Sequence, residues 1–152
     1  MNIKKILVGI IASMAVVVYA TTFAYAKKSV TPSSLKGATI VNAKWVKANK
    51  NKIQAYDARM KAEYVDAHIP GAISVWYHEK SKKSVNFDGS KDRFDLSKFP
   101  SNKNTPEIVY CNGPRCWKSY KAAVTLIRAG YKYVYWFRGG LPAWIKAGYP
   151  TE

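Results

Sequence analysis

An α/β fold built on a mainly parallel sheet is the class this sequence predicts. Short β-branched or aromatic runs alternate with helical stretches from Thr39 to Gly148, the pattern of strand–helix units around one sheet. Gly, Pro and Asn clusters punctuate the junctions. The chain has 152 residues and no internal repeat, enough for one domain with a substantial core but not for two.

The elements follow in order. Thr39-Ile40-Val41 is a short strand, and Asn42 caps a helix over Ala43 to Ala48 that buries Trp45 and Val46. After the polar turn Asn49 to Lys52, Ile53 to Tyr56 forms a strand that ends at Asp57-Ala58-Arg59. A helical turn over Lys61 to Ala67 precedes His68-Ile69-Pro70-Gly71-Ala72, and Ile73 to Val75 is the next strand. Tyr77 to Arg93 is a polar surface excursion with a short strand at Val85 to Phe87, followed by a helical turn at Leu96 to Phe99 and a loop from Pro100 to Pro106. Ile108-Val109-Tyr110 is a buried strand. A helix begins at Cys116 or Trp117 and runs to Ala129, where Gly130 stops it. Tyr133 to Phe137 is an aromatic strand, and a last helix runs from Leu141 to Ala147 and ends at Gly148.

The N-terminus stands apart. Lys4 and Lys5, the apolar run Ile6 to Ala20 and the small-x-small stretch Ala24-Tyr25-Ala26 read as a signal peptide over residues 1–26, cleaved after Ala26. An uncleaved N-terminal membrane anchor is the alternative, since Ile6 to Ala26 is nearly long enough to span a bilayer. Residues 27–38 read as a flexible lead-in and 39–149 as the domain. The expected location is periplasmic, with no stable membrane insertion after cleavage. A formal charge of +16, from 25 basic and 9 acidic residues, attracts anions at long range. Export and the scatter of the lysines argue against nucleic acid as the partner.

The stretch Tyr110-Cys111-Asn112-Gly113-Pro114-Arg115-Cys116-Trp117 carries the chemistry. Cys111 stands at a strand end, in a turn leading into a helix N-terminus. Unpaired backbone N–H groups and the helix dipole gather positive potential there, and Arg115 and Lys118 add full charges. All of these favour thiolate over thiol, so Cys111 is expected to be nucleophilic near neutral pH. A buried hydrophobic cysteine and a structural Cys111–Cys116 disulfide in an exported protein are the competing accounts. Gly113, Pro114 and Arg115 make a poor core environment and count against the first. His68 and His78 are the only histidines and lack metal-ligand spacing with the cysteines, so no metal is expected.

Asp57-Ala58-Arg59, Glu63-Tyr64, His68-Ile69-Pro70-Gly71-Ala72, the Cys111 loop and Gly139-Gly140-Leu141-Pro142-Ala143-Trp144 occur in this order. Together they resemble a single rhodanese domain, a family of persulfide-forming sulfurtransferases, over roughly Thr39 to Gly148. The Cys-Asn-Gly-Pro-Arg-Cys-Trp loop is similar to that of small exported members. The resemblance implies a central, mainly parallel five-stranded sheet with helices on both faces. It implies Cys111 as the catalytic residue that holds sulfane sulfur, with no cofactor beyond that covalent persulfide. Asn112, Gly113, Pro114, Arg115, Cys116 and Trp117 match the substrate-binding loop, and Asp57, Arg59 and His68 match structural supports of the site.

Two departures stand out. Ala67 occupies the place where the family usually has Gly before the His. Cys116 replaces a polar or basic residue and makes a C-x4-C pair. Related phosphatases carry Arg six positions after the Cys, where this chain has Trp117, which speaks against phosphatase activity. Three functions follow. In the first, the protein is a sulfurtransferase that takes sulfur from a small anionic donor of the thiosulfate or polysulfide type and passes it to a thiol or other thiophilic acceptor, with Cys116 as candidate resolving thiol. In the second, the two cysteines are a thiol–disulfide couple served by a redox partner protein. In the third, a permanent disulfide holds together a non-catalytic binding module.

Overall fold

The computed structural model describes residues 29–152; the signal peptide expected over 1–26 lies outside them. Five strands form one sheet: β1 (Ala38–Ile40), β2 (Gln54–Asp57), β3 (Ile73–Ser74), β4 (Glu107–Tyr110) and β5 (Val134–Phe137). Their spatial order is β1-β5-β4-β2-β3, and every pairing is parallel. The α/β expectation therefore holds, with a wholly rather than mainly parallel sheet. Strand ends differ from the sequence-based ranges by about one residue.

Alternation along the strands builds two cores. Tyr56, Val109, Val134 and Trp136 pack with Tyr120, Ala123 and Leu126 of helix α3 (Lys118–Arg128). Ala55, Ile108, Tyr110 and Phe137 point the other way. They pack with Val46 of α1 (Ala43–Asn49) and with Leu141 and Trp144 of α4 (Gly140–Lys146). Helices thus cover both faces, which is why β4 is buried along its whole length. Each large apolar side chain so enclosed contributes about 1.5–3 kcal/mol.

Local chemistry sets the helix ends. The Asn42 side chain accepts the Trp45 N–H at 2.9 Å and caps α1 as its residue type predicts. At the far end of α3, the Tyr131 N–H reaches back to the Leu126 carbonyl at 3.1 Å across Gly130, whose φ is 93°. A short helix α2 (Lys61–Asp66) precedes the His68 element.

The excursion Tyr77 to Arg93 departs from expectation, because Val85 to Phe87 form no strand. A polar network organises the segment instead. Asp92 accepts the N–H groups of Lys80 and Ser81, each at 2.7 Å, and the Tyr77 hydroxyl at 2.9 Å. Lys121, fully buried on α3, donates to the Ser81 hydroxyl at 2.8 Å and pairs with Glu79 at 2.9 Å. Leu96–Lys98 forms the single helical turn expected there. Among the described residues, no helix is long and apolar enough to cross a membrane.

Candidate active-site loop

A parallel sheet places the C-terminal ends of β2, β4 and β5 along one edge, where open α/β folds build their sites. The loop Cys111 to Trp117 leaves β4 at that edge and enters α3. Gly113 makes the turn, with φ of 89°, and its carbonyl accepts the Cys116 N–H at 2.9 Å. The Gly139-Gly140 pair lies against the loop base. A Cβ on Gly140 would stand 2.0 Å from the Cys111 carbonyl oxygen. With hydrogen there, the Leu141 N–H can reach that oxygen at 2.9 Å. Close approach of two backbones thus explains Gly140, while a Cβ on Gly139 would stand 2.7 Å from the Ala143 Cβ.

The two thiols occupy different surroundings. Cys111 is 0 % exposed. Its sulfur faces the Ser119 hydroxyl at 2.9 Å and the Ser119 N–H at 3.4 Å, both from the first turn of α3. The Trp136 indole N–H donates to that same hydroxyl at 3.0 Å, which leaves the Ser119 proton free to turn toward the sulfur. Cys116 is only partly buried and opens on a surface cleft of about 300 Å³ that Lys83, Arg115, Trp117 and Lys118 help to line. Both cysteines are free thiols, and the Cys111 thiol donates to the Cys116 carbonyl oxygen at 3.3 Å.

These surroundings reverse the expected acidity. Burial, and then the neighbouring Cys116, push the Cys111 thiol well above its ordinary range. Cys116 is drawn down to about 6 by the Cys111 hydrogen bond, then against its burial by the N–H groups of Asn112 and Lys118 and by the Lys118 charge. The sequence-based expectation of a thiolate at Cys111 is therefore corrected. The loop amides and positive charge are present, but they favour the thiolate at Cys116, while Cys111 lies on the dry side of the loop.

The remaining site residues fall into place around this pair. Asp57 and Arg59 form a buried ion pair at 2.6 Å, reinforced by the Arg59 Nε and backbone N–H groups. Arg59 also donates to the Ala67 carbonyl at 2.6 Å, which ties the end of β2 to the segment entering His68. The His68 Nδ1 donates to the Tyr64 carbonyl at 2.9 Å, and its ring stacks on Tyr64. Arg115 and Pro114 are exposed on the loop, while Trp117 is buried against Tyr120.

Sequence reasoning assigned no role in the site to Ser119, Glu63, Thr31 and Arg138. Glu63 accepts the Asn112 side-chain amide and lies 3.8 Å from Lys118, so it fastens the loop to α2. Its place in an ordered motif was the only signal. Ser29 to Thr31, expected within a flexible lead-in, instead lie across the loop. Thr31 is 2 % exposed and gives both its N–H and hydroxyl to the Pro114 carbonyl. Arg138 holds the Thr31 carbonyl at 2.7 Å, and the Trp117 indole donates to the Ser29 carbonyl at 3.3 Å. No local sequence pattern announces a contact spanning 107 positions. Among the described residues, no group of three His, Cys, Asp or Glu side chains is placed to hold a metal.

A strand-end cysteine in a loop closed by a helix N-terminus, on a β1-β5-β4-β2-β3 parallel sheet, defines a class of thiol-bearing α/β domain. The family model described as Rhodanese-like domain matches residues 42–147, and the chain belongs to that family. It is 29% identical over 96 residues to "Thiosulfate sulfurtransferase 16, chloroplastic" of Arabidopsis thaliana, covering 63% of this chain and 77% of that one. Among solved structures it is similar to the BH2092 protein of Bacillus halodurans, with a TM-score of 0.57 and 25% identity over 75% of this chain and 76% of that one. It is likewise similar to the thiosulfate sulfurtransferase of Pseudomonas aeruginosa, with a TM-score of 0.55 and 25% identity over 76% of this chain but 20% of that one.

Proposed function

We propose that this protein is a sulfurtransferase that holds sulfane sulfur as a persulfide on Cys111 and passes it to a thiol or other thiophilic acceptor. The observation that carries this reading is the Cys111 sulfur at the end of β4, held by the hydroxyl and N–H of Ser119 in the first turn of α3. Membership of a family with relatives named thiosulfate sulfurtransferase supports it. In loading, a loop thiolate attacks the sulfane sulfur of a donor such as thiosulfate, the donor S–S bond breaks, and sulfite leaves with the bonding electrons. In transfer, an acceptor thiolate attacks the outer sulfur of the persulfide and returns the protein thiol. The intermediate is covalent and needs no cofactor. Lys83, Arg115 and Lys118 at the cleft suit a small anionic donor. The signal-like N-terminus of the sequence supports a periplasmic location for this chemistry.

Steady-state sulfite release from thiosulfate with a thiol acceptor, after reduction of the protein, tests the proposal. Turnover should scale with protein and fall to the uncatalysed background in Cys111→Ala. Absence of turnover by the reduced wild type would overturn the reading. A second reading, thiol–disulfide exchange with a partner protein, is favoured by the closeness of the two cysteines, the Cys111 thiol donating to the Cys116 carbonyl at 3.3 Å. It predicts instead that a dithiol substrate is oxidised while the Cys111–Cys116 pair is reduced.

A further inference from the structure

We infer that Cys116 is the thiol that takes sulfur from the donor, and that Cys111 is loaded from Cys116 rather than from the donor directly. This rests on the sulfurtransferase reading above. Cys111 is 0 % exposed; its sulfur meets the Ser119 hydroxyl and N–H from the interior and the Cys116 carbonyl from the loop. A donor anion of several heavy atoms reaches that sulfur only if the loop opens. The loop is pinned at several points: Thr31 on Pro114, Leu141 N–H on the Cys111 carbonyl, and Asn112 on Glu63. Cys116 is five positions on, opens on the cleft with Arg115 and Lys118, and accepts the Cys111 thiol on its carbonyl oxygen at 3.3 Å. An anionic donor drawn to those cations meets the Cys116 sulfur first.

The chemistry of the sulfurs agrees with this order. Cys116 is the more acidic thiol, drawn down to about 6, so near neutral pH it is the available nucleophile. Its thiolate bonds the sulfane sulfur of thiosulfate, the donor S–S bond breaks, and sulfite leaves with the electron pair. The Cys111 sulfur then bonds the outer sulfur of the Cys116 persulfide. The bond between that sulfur and Cys116 breaks, and the Cys111 proton passes to the departing Cys116 sulfur. No net oxidation occurs, because one persulfide is exchanged for another. The interior position then shields the stored sulfur from water, with the Ser119 donors facing it.

A rapid-quench time course with thiosulfate tests the order. After alkylation and trypsin cleavage, which separates the cysteines after Arg115, mass spectrometry locates the extra sulfur. In the wild type it should appear first on the Cys116 peptide and later on the Cys111 peptide. In Cys111→Ser it should accumulate on Cys116, and in Cys116→Ser loading of Cys111 should slow by about tenfold or more, as loss of the more ionised and accessible thiol requires. Wild-type sulfur found first on Cys111, together with Cys116→Ser loading at the wild-type rate, would overturn the inference and leave the sulfurtransferase proposal standing. Sulfur on neither peptide of the reduced wild type would overturn both.

Discussion

The Cys111 thiol and the N–H groups of Asn112 and Lys118 draw the Cys116 thiol toward its charged form. Hydrogen bonds to a charged form favour that form, which is how a half-buried sulfur in this loop becomes the acidic one. The charged and titratable groups around it are Cys111, Arg115, Lys118, Lys83, Glu63 and Glu79. Arg115, Lys118 and Lys83 favour the thiolate. Glu63 is partly neutralised by Lys118, and Glu79 by Lys121. Labelling of Cys116 by iodoacetamide should therefore rise with pH and reach half its plateau at about 6, while Cys111 stays unlabelled through neutrality. Mass spectrometry of the labelled peptides across pH 5 to 9, on the order of the ordinary thiol range, reads both. A half-point at the ordinary thiol value would show that the donors do not act on this sulfur. The sequence indicated that a thiolate would be stabilised here, from the helix N-terminus, Arg115 and Lys118. It pointed to Cys111 rather than Cys116, because burial on one side of a loop depends on how α3 packs against β5 and is not written in the local sequence.

Among the elements, the loop is held from three directions: by α2 through Glu63, by α4 through Leu141, and by the segment Ser29 to Thr31 from outside. Arg138, just after β5, is the clasp of the last, with bonds to the Thr31 hydroxyl at 3.1 Å and carbonyl at 2.7 Å. Arg138→Ala should cost about 1.5–3 kcal/mol, the usual loss for hydrogen bonds made by a charged group. It should also speed amide hydrogen exchange of loop residues 112–117 while leaving β4 protected. Unchanged exchange in the loop would mean that the segment rests on the loop without holding it. The strands, helices and their order were legible because hydrophobic period and capping residues are local properties, as Asn42 and Gly130 illustrate. The contacts that fix the loop were not, because they join residues such as Thr31 and Arg138 that only the fold brings together. The misplaced strand at Val85 to Phe87 has the same origin. Asp92 and Lys121 supply tertiary partners that draw the segment into turns.

For the molecule as a whole, stability rests on two apolar cores and on a few buried polar groups with very different degrees of satisfaction. Asp57 and Arg59 are fully paired, and Lys121 has Glu79 and Ser81. Glu107, at the start of β4, is the exception. It is fully buried, and neither carboxyl oxygen has a hydrogen-bond partner among the described residues. Burial pushes its carboxyl up to about 7. A folded-state value above the unfolded one means that the folded protein binds the proton more tightly. Its contribution is thus fully present below about 4.5 and is lost as pH rises through about 7. Glu107→Gln should flatten that slope and leave the protein more stable than wild type above neutrality, as urea unfolding at a series of pH values would measure. A wild-type stability that rises across the same interval, unaltered in the variant, would contradict it. The central claim is tested most directly by the intact mass of the reduced protein before and after thiosulfate. A gain of one sulfur atom, absent when Cys111 and Cys116 are both replaced by Ser, is the predicted result; a mass that thiosulfate leaves unchanged would contradict the account.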